Sequence, residues 1–356
     1  MSYLHAAEHA SGRDRYPRTK DSEVDDVAFG DGQALRDTYR RAEAGGYAFM
    51  ANNIAEQNIL MGLLDAYCEG RSDLLVQVSA GAARFAGGGD KEAGLRSLAG
   101  MVHALSAGRP ITVYLNLDHF TVGEMNLIGT AISERLVSSI MIDASLESFD
   151  ENVRISRSVV EQAKGSGILI EAELGKIKGV EDEISSDDAF YTDPDEAVEF
   201  VRATGADLLA ISIGTEHGVS KGKDIELRID LAAEIRDRLR EAGLEVPLVL
   251  HGSSGVLPDQ IRDAVRQGIR KLNKDTHYQY VYGRAAAEYY MERAAEIIPP
   301  SDVEDDVVNL FPGRGWSPNK KVFDPRVVGR AIQDEIKVIA LALLEQAGSG
   351  GHAIQG

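Results

Sequence analysis

Eight short apolar runs recur along the chain, and a helical pattern follows each of them. The runs are nearly continuous in apolar residues instead of alternating, which is typical of parallel strands covered by helices. Eight strands alternating with helices predict a closed (β/α)8 barrel, or TIM barrel. The runs are Tyr47–Asn53, Asp73–Ser79, Ile111–Asp118, Ser139–Ser145, Gly167–Gly175, Leu208–Gly214, Pro247–Gly255 and Ile269–Asp275.

The alternative architecture is an open, doubly wound sheet. Such a sheet is expected to carry a glycine-rich turn after its first strand, whereas here the first run ends in Asn52-Asn53. Helix punctuation between the runs supports a regular alternation, because Asp193-Pro194 begins one helical pattern and Gly205 ends it. We therefore expect the closed barrel.

The barrel leaves additional sequence at both of its ends. We expect one domain over residues 29–346, with barrel strands within about 47–275 and C-terminal helical decoration over 276–346. Residues 1–28 are predicted to form a flexible or docking N-terminal extension, and residues 347–356 a tail.

The composition favours a cytoplasmic protein with no nucleic-acid or membrane partner. The 356 residues carry a formal net charge of −19, whereas a phosphate backbone is bound by a basic face. The sequence contains no run of about 18 apolar residues, the length needed to span a bilayer. Its polar N-terminus lacks the apolar segment of a secretory signal. The single cysteine, Cys68, suits a reducing compartment. Such acidity favours solubility, or it reflects a high-salt cytoplasm.

Three histidines follow or end predicted strands, at the end of the barrel where active sites of this fold lie. His119, His217 and His251 belong to the third, sixth and seventh strands. A single histidine there is more often a hydrogen-bonded residue or a general base, but three converging on one mouth predict a catalytic zinc site. Asp143 and Glu173 are candidates to orient the imidazoles or to bind a second metal ion.

Local positive charge in this acidic chain indicates an anionic substrate. The turn Gly252-Ser253-Ser254-Gly255 can present backbone N–H groups and hydroxyls to a phosphate, and barrel phosphate sites favour the loops after strands seven and eight. The alternative is an ordinary tight turn with solvated lysines around it. The lysines in or beside loops five and six and strand eight are Lys176, Lys178, Lys221, Lys223, Lys271 and Lys274.

Two carboxylates are candidates for acid–base catalysis. Asp118 is adjacent to a candidate metal ligand and could exchange a proton with a hydroxyl group. Glu181 lies in a charged loop that is long enough to close over a substrate, where partial desolvation would raise its basicity. Spacing alone does not distinguish Glu181 from one more solvated acid.

The order of these strand-end motifs is typical of one enzyme family. They resemble the class II, metal-dependent fructose-bisphosphate aldolases, and most closely a divergent, haloarchaeal-like branch. The resemblance covers roughly Tyr47 to Gln346. The motifs that carry it are Leu117-Asp118-His119, SIMIDAS (139–145), IEAELG (170–175), His217-Gly218-Val219, LHGSSG (250–255), KLNKDT (271–276) and NKKVFDPR (319–326).

The resemblance implies reversible cleavage of fructose 1,6-bisphosphate to dihydroxyacetone phosphate and glyceraldehyde 3-phosphate, as in glycolysis and gluconeogenesis. It implies that the three histidines bind Zn²⁺ or another divalent metal, which polarises the ketone and stabilises the enediolate. It also implies that Asp118 handles the proton of the C4 hydroxyl and that Glu181 moves the proton at the ketose-derived carbon. Positions matched to the ketose triose and its phosphate are Asn53, Ser79, Lys221, Gly252, Ser254, Asn273, Asp275 and Thr276.

Further partners are implied by the same resemblance. A monovalent cation, Na⁺ or K⁺, is expected to bind backbone atoms near Gly218 and Gly252. Arg326 matches an arginine that reaches the active site of a neighbouring subunit and holds the distal phosphate, so a homodimer or homotetramer is expected.

The sequence departs from the family pattern at four places. The usual His-Thr-Asp-His is Asn116-Leu-Asp-His119, and the usual Asn-Val before the second ligand is Thr215-Glu216. The usual Gly-Gly-Ser-Gly has Ser253 at its second position, and the usual Asn-Ile-Asp-Thr has Lys274. These changes bear on the ketose, on any second metal site and on the metal preference, so tagatose 1,6-bisphosphate or another phosphorylated ketose stays an alternative substrate.

Three other readings of the barrel remain. A Schiff-base aldolase requires a buried lysine, typically on strand six, which has none, although Lys271 and Lys274 on strand eight keep this alternative open. A metal-dependent amidohydrolase usually carries His-x-His at strand one, where this chain has Asn52-Asn53. A non-catalytic barrel subunit is expected to have lost a ligand or both acids, and this sequence retains them.

Overall fold

A computed structural model describes residues 29–177, 179–181, 184–186, 191–216 and 227–354, and it describes no side chains between 178 and 190. The predictions for the extension of residues 1–28, for His217, Gly218 and Lys221, and for the side chain of Glu181 therefore fall outside the described residues. The division into an extension, one domain and a tail stays a prediction.

Eight parallel strands close into a barrel, as the apolar runs predict. Each barrel strand pairs with the next one along the chain, and the last (Ile269–Lys274) pairs with the first (Phe49–Asn53). The prediction of a TIM barrel is confirmed, and the open sheet is wrong because the described sheet closes on itself. The barrel strands are β1 (Phe49–Asn53), β2 (Leu74–Ser79), β3 (Val113–Phe120), β4 (Ser139–Ile142), β5 (Leu169–Leu174), β8 (Leu208–Ile211), β9 (Leu248–Leu250) and β10 (Ile269–Lys274).

Helices cover the outer face of the barrel. One helix, Pro194–Thr204, begins after the Asp193 cap and ends before Gly205, at φ +71°, as the punctuation predicts. None of the described helices has both the length and the apolar character needed to cross a bilayer. The helices are α1 (Gly32–Gly45), α2 (Gln57–Gly70), α3 (Ala80–Ala86), α4 (Lys91–Ser106), α5 (Met125–Ser133), α6 (Phe149–Ala163), α7 (Pro194–Thr204), α8 (Ile229–Glu241), α9 (Pro258–Arg266), α10 (Thr276–Glu292), α11 (Lys320–Phe323) and α12 (Pro325–Ala347).

The loop after β5 contains a small additional sheet. Two antiparallel strands, β6 (Gly179–Glu181) and β7 (Ile184–Ser186), pair with each other and take no part in the barrel. Glu181 is therefore at the end of a hairpin strand, where Glu181 pairs with Ile184.

The inside of the barrel changes from apolar to polar along its axis. At the end where the strands begin, a separate apolar cluster that includes Phe49, Leu75 and Val249 fills the interior, and Leu35 and Tyr39 of α1 pack against it. Side chains of a strand alternate between its two faces, so residues two and four positions further along each strand also point inward. Those positions include Asn53, Gln77, Asp118, Glu171 and His251. On β10, Lys271 and Asn273 point inward as well, since they donate hydrogen bonds to Glu171 and Asp118. The apolar cluster fills the end of the barrel where the strands begin, so the polar side chains meet at the other end, where the strands finish.

Candidate active site

His119 reaches this polar end through an irregularity in β3. Pairing between β3 and β4 shifts register between Leu117 and Phe120, and His119 has φ +50°. This left-handed conformation is uncommon for a residue with a side chain and costs roughly 1–2 kcal/mol. Successive residues of a regular strand point to opposite faces. The irregularity is what brings Asp118 and His119 to the same site.

A buried carboxylate orients the His119 ring. Nδ1 of His119 lies 2.8 Å from Oδ2 of Asp143, and Oδ1 of Asp143 accepts hydrogen bonds from the backbone and hydroxyl of Ser145. Burial raises the pKa of Asp143, but the contacts with His119 and Ser145 together outweigh it, and the pKa falls to about 2. An ionised carboxylate requires the proton on Nδ1, so Nε2 is left as the atom that can bind a metal ion.

A second carboxylate orients His251 in the same way but through the other nitrogen. Nε2 of His251 lies 2.8 Å from Oε1 of Glu171, and Lys271 donates to Oε2 of Glu171 over 2.6 Å. Burial and the nearby His119 lower the pKa of His251, so the imidazole is neutral near pH 7. Burial raises the pKa of Glu171, but Lys271 and His251 bring it to about 2. Because Glu171 engages Nε2, Nδ1 of His251 is the candidate ligand atom. In this structure Nδ1 accepts a hydrogen bond from Asn273 Nδ2 over 2.8 Å.

Two overlapping groups of side chains could hold metal ions. The first contains Asp118, His119 and His251, and the second contains His119, Asp143 and Glu173, with one donor atom of each residue within 4.8 Å of the others. All five side chains are buried. Imidazole nitrogens and carboxylate oxygens are the ligand set of catalytic zinc sites, so the residues present fit the metal that the sequence predicts.

Three amide side chains hold Asp118 in one orientation. Asn53 donates to its Oδ2 over 2.8 Å, while Gln77 and Asn273 donate to its Oδ1 over 2.8 and 2.9 Å. A carboxylate offers about four acceptor positions, and these contacts use three of them. The remaining position allows Asp118 to accept a hydrogen bond from a substrate hydroxyl.

The turn Gly252–Gly255, which follows β9 and His251, needs glycine at its first position. Gly252 has φ +61°, and a Cβ atom there would lie 2.7 Å from the Glu216 carbonyl oxygen in the loop after β8. The loops after β8 and β9 therefore meet backbone to backbone. The buried Ser253 hydroxyl donates to the Asn273 carbonyl over 2.6 Å, which ties this loop to β10.

Other predicted binding residues lie near the ends of strands, with one exception. Ser79 ends β2 and caps α3 by accepting from Ala82 N, while Asp275 connects β10 to α10, which begins at Thr276. Arg326 lies on the surface, its side chain 85% exposed and paired with Asp324. Within the described residues of its own chain, Arg326 therefore does not join the buried cluster.

Sequence reasoning missed the orienting role of three residues. Gln77 holds Asp118, and Glu171 with Lys271 holds His251, whereas Glu173 had been the candidate for this role. Each of the three is a polar residue on a barrel strand, at an inward-facing position. The two-residue period of inward-facing positions along a strand could have identified them, but not their partners.

Replacing Glu171 with glutamine is expected to weaken zinc binding by roughly 10–100-fold, as the loss of an orienting partner of a metal ligand commonly does. A neutral amide no longer fixes the proton on Nε2 of His251, and it leaves the buried Lys271 without its carboxylate. Competition with a chromogenic chelator measures the zinc affinity. The control is Glu288→Gln, because the Glu288 side chain is 51% exposed and pairs with Arg284 on α10. An affinity within threefold of wild type in Glu171→Gln would contradict the proposed coupling.

Comparison with known proteins adds an independent line of observation. A family model described as class-II fructose-bisphosphate aldolase matches residues 33–352. A fructose-bisphosphate aldolase from Geobacillus stearothermophilus is 32% identical over 324 residues, covering 90% of this chain and 99% of that protein. Another from Treponema pallidum is 36% identical over 250 residues, covering 65% of this chain and 72% of that protein. The crystal structure of the Campylobacter jejuni enzyme superposes with a TM-score of 0.77 at 25% identity, covering 91% of this chain and 96% of that one.

Proposed function

The chain belongs to the class II fructose-bisphosphate aldolase family, and from this premise we propose how its residues carry out the reaction. The enzyme is a carbon–carbon lyase that cleaves fructose 1,6-bisphosphate to dihydroxyacetone phosphate and glyceraldehyde 3-phosphate, and it catalyses the reverse addition. The observation that carries the proposal is the meeting of Asp118, His119 and His251 at the polar end of the barrel.

Zinc is the proposed metal, held by His119 and His251 together with His217. When bound, it acts as a Lewis acid toward the carbonyl oxygen of the substrate. Asp143 and Glu171 orient the two described imidazoles by contacts of 2.8 Å each. Asp143 and Glu173 also form, with His119, the second donor group, so a second metal position is part of the proposal.

Asp118 is the proposed acid–base residue for the C4 hydroxyl. Its carboxylate is 1% exposed, and the three amide contacts leave one acceptor position for that hydroxyl. Cleavage of the C3–C4 bond requires the hydroxyl proton to leave as the C4 carbonyl forms, and Asp118 accepts this proton. In the reverse direction Asp118 returns it.

Glu181 is proposed to move the proton at C3 of the ketose-derived fragment. It belongs to the hairpin that follows β5, and β5 supplies Glu171 and Glu173 to the site. A hairpin outside the barrel sheet can approach a bound substrate without disturbing the strands, which is how mobile loops commonly complete an active site.

The ketose phosphate is proposed to bind between the loop Gly252–Gly255 and the start of α10. Backbone N–H groups and the N-terminus of a helix favour an anion. Residues proposed to contact the ketose triose or its phosphate are Asn53, Ser79, Lys221, Gly252, Ser253, Ser254, Asn273, Asp275 and Thr276. Gly218 and Gly252 are the proposed neighbours of a Na⁺ or K⁺ ion.

The exposed position of Arg326 supports a role between subunits. With its side chain 85% exposed, Arg326 is proposed to contact the distal phosphate in a neighbouring subunit of a homodimer or homotetramer. A cytoplasmic role in glycolysis and gluconeogenesis follows from the substrate, and the single cysteine is compatible with it.

The proposal is tested by coupled assays of the cleavage of fructose and tagatose 1,6-bisphosphate. We expect fructose 1,6-bisphosphate to be the better substrate, EDTA to abolish turnover, and zinc to restore it best among divalent ions. Trapping of substrate by borohydride with EDTA harmless would instead identify a Schiff-base enzyme. Lys271 lies beside the metal site, but its side-chain nitrogen forms an ion pair with Glu171 over 2.6 Å, which occupies the atom that would have to attack the ketone in a Schiff-base enzyme.

A further inference from the structure

Lys274 is a buried cation that the mechanism above does not use. It is 2% exposed, and its ammonium donates to the Ser253 carbonyl oxygen over 2.5 Å. Within the described parts of the chain, no carboxylate forms an ion pair with it. Burial of a charge without a counter-charge is costly, and it lowers the pKa of Lys274 to about 8. Burying the Lys274 ammonium therefore lowers the stability of the fold, which points to a functional role for this side chain.

The side chain of Lys274 lies on the outer face of β10, behind the active site. Register pairs Lys274 with Asn52 of β1, and the Asn52 side chain bonds to Tyr67 on α2 and Tyr278 on α10. Asn273, the preceding residue, points inward to Asp118. The ammonium therefore approaches the loop Gly252–Gly255 from the side of the helices, opposite to the barrel interior.

The contact with the Ser253 carbonyl sets the direction of the next N–H group. In a trans peptide the C=O and N–H groups point to opposite sides, and the structure contains no cis peptide in its described residues. With the Ser253 carbonyl held toward Lys274, the Ser254 N–H points away from Lys274. A cation on a peptide oxygen also polarises that peptide and makes its N–H a stronger donor.

Two departures from the family pattern meet at this contact. Ser253 replaces the usual glycine, and Lys274 replaces the usual isoleucine. The Ser253 hydroxyl is bound to the Asn273 carbonyl and the Ser253 carbonyl to Lys274. This loop is thus fastened to β10 at two points, by the Ser253 hydroxyl and by the Lys274 ammonium.

We propose that Lys274 is a positioning residue for the substrate phosphate, which fixes the Ser253–Ser254 peptide and supplies positive charge behind the loop that binds the anion. This inference rests on the proposed placement of the ketose phosphate at the loop Gly252–Gly255. It concerns phosphate affinity, not the chemical step, because Lys274 lies on the outer face of the strand and is separated from the reacting atoms by the loop itself.

The test compares Lys274→Ile with wild type in the zinc-loaded enzyme. We expect the inhibition constant of inorganic phosphate and the KM for fructose 1,6-bisphosphate to rise by roughly tenfold or more, the usual scale for a lost charged hydrogen bond. We expect kcat to change by less than about threefold, because Lys274 does not touch the reacting atoms. The tenfold loss of phosphate affinity corresponds to about 1.4 kcal/mol of binding free energy. Lys274→Arg keeps the charge and should recover most of the phosphate affinity. Lys164→Met is the matched control, because Lys164 is exposed at the opposite end of the barrel.

Phosphate affinity within twofold of wild type in Lys274→Ile would overturn the inference. Isoleucine is the usual family residue at this position, and a thermal melting curve verifies that the variant is folded. If Lys274→Ile does not fold, Lys274→Gln takes its place with the same expected result. Glutamine keeps a hydrogen-bond donor and removes the charge. Calorimetry with inorganic phosphate measures binding without turnover. If the enzyme cleaved no ketose bisphosphate while Lys274→Ile still weakened phosphate binding tenfold, the proposed function would fail and this inference would stand.

Discussion

Replacing His251 with alanine is expected to lower kcat/KM for fructose 1,6-bisphosphate by at least roughly a thousandfold. A Lewis acid contributes several kcal/mol to a transition state that carries negative charge on oxygen, and about 4 kcal/mol corresponds to a factor of a thousand. His251 is fully buried and supplies one of the candidate donor atoms. The coupled triose-phosphate assay measures activity, and elemental analysis of the dialysed protein measures bound zinc, which we expect to be lost in parallel.

The control for this variant is His352→Ala. His352 stacks on Tyr47 with ring centroids 4.1 Å apart, at the end of the barrel where β1 begins. The substitution therefore removes an imidazole far from the polar end, and activity should stay close to that of wild type. If His251→Ala kept its zinc and more than about a tenth of wild-type activity, His251 would not be a metal ligand.

Replacing Asp118 with asparagine is expected to lower kcat by about 10²–10⁴-fold, the range typical of a lost general acid–base. The structure should tolerate this change well. The Oδ1 atoms of Asn53 and Asn273 and Oε1 of Gln77 are buried without a hydrogen-bond partner in the described residues. A flipped amide can therefore offer its oxygen to the new NH₂ group at position 118, so the melting temperature should change little.

Asp37→Asn makes the same chemical change at a surface position. The Asp37 side chain is 50% exposed and pairs with Arg40, so we expect full activity in this control. Zinc content separates the two roles that Asp118 could have. Asp118 also belongs to a candidate metal-binding group, and an Asp118→Asn enzyme that had lost its zinc would identify Asp118 as a ligand instead of a proton carrier.

The fold could be predicted from the sequence because burial on both faces leaves a clear pattern in each strand. Each predicted run overlaps one barrel strand, although β9 covers only Leu248–Leu250 of the run Pro247–Gly255, and β3 continues to Phe120, two residues beyond the run Ile111–Asp118. Several runs are longer than their strands because they also include residues of the loop that follows, such as residues 251–255 after β9. Helix boundaries such as Pro194 and Gly205 were predictable because their caps are local.

The contacts within the site could not be predicted in the same way. Glu171 lies on β5 and His251 directly follows β9, with β8 between these strands, so their 2.8 Å contact depends on the tilt and stagger of the closed barrel. The sequence therefore pointed to Glu173 instead of Glu171. Likewise, no local pattern marks the positive φ of His119, without which Asp118 and His119 could not share a site.

The pairing of β1 with β10 also has a consequence for synthesis of the protein. About 220 residues separate the two strands, and at about 5–20 residues per second a ribosome needs roughly 10–45 s to make them. Throughout that time β1 has an unpaired edge, which is a template for aggregation. Barrel closure is therefore a late, long-range step, and folding yield in the cell depends on protecting Phe49–Asn53 until Ile269–Lys274 has emerged.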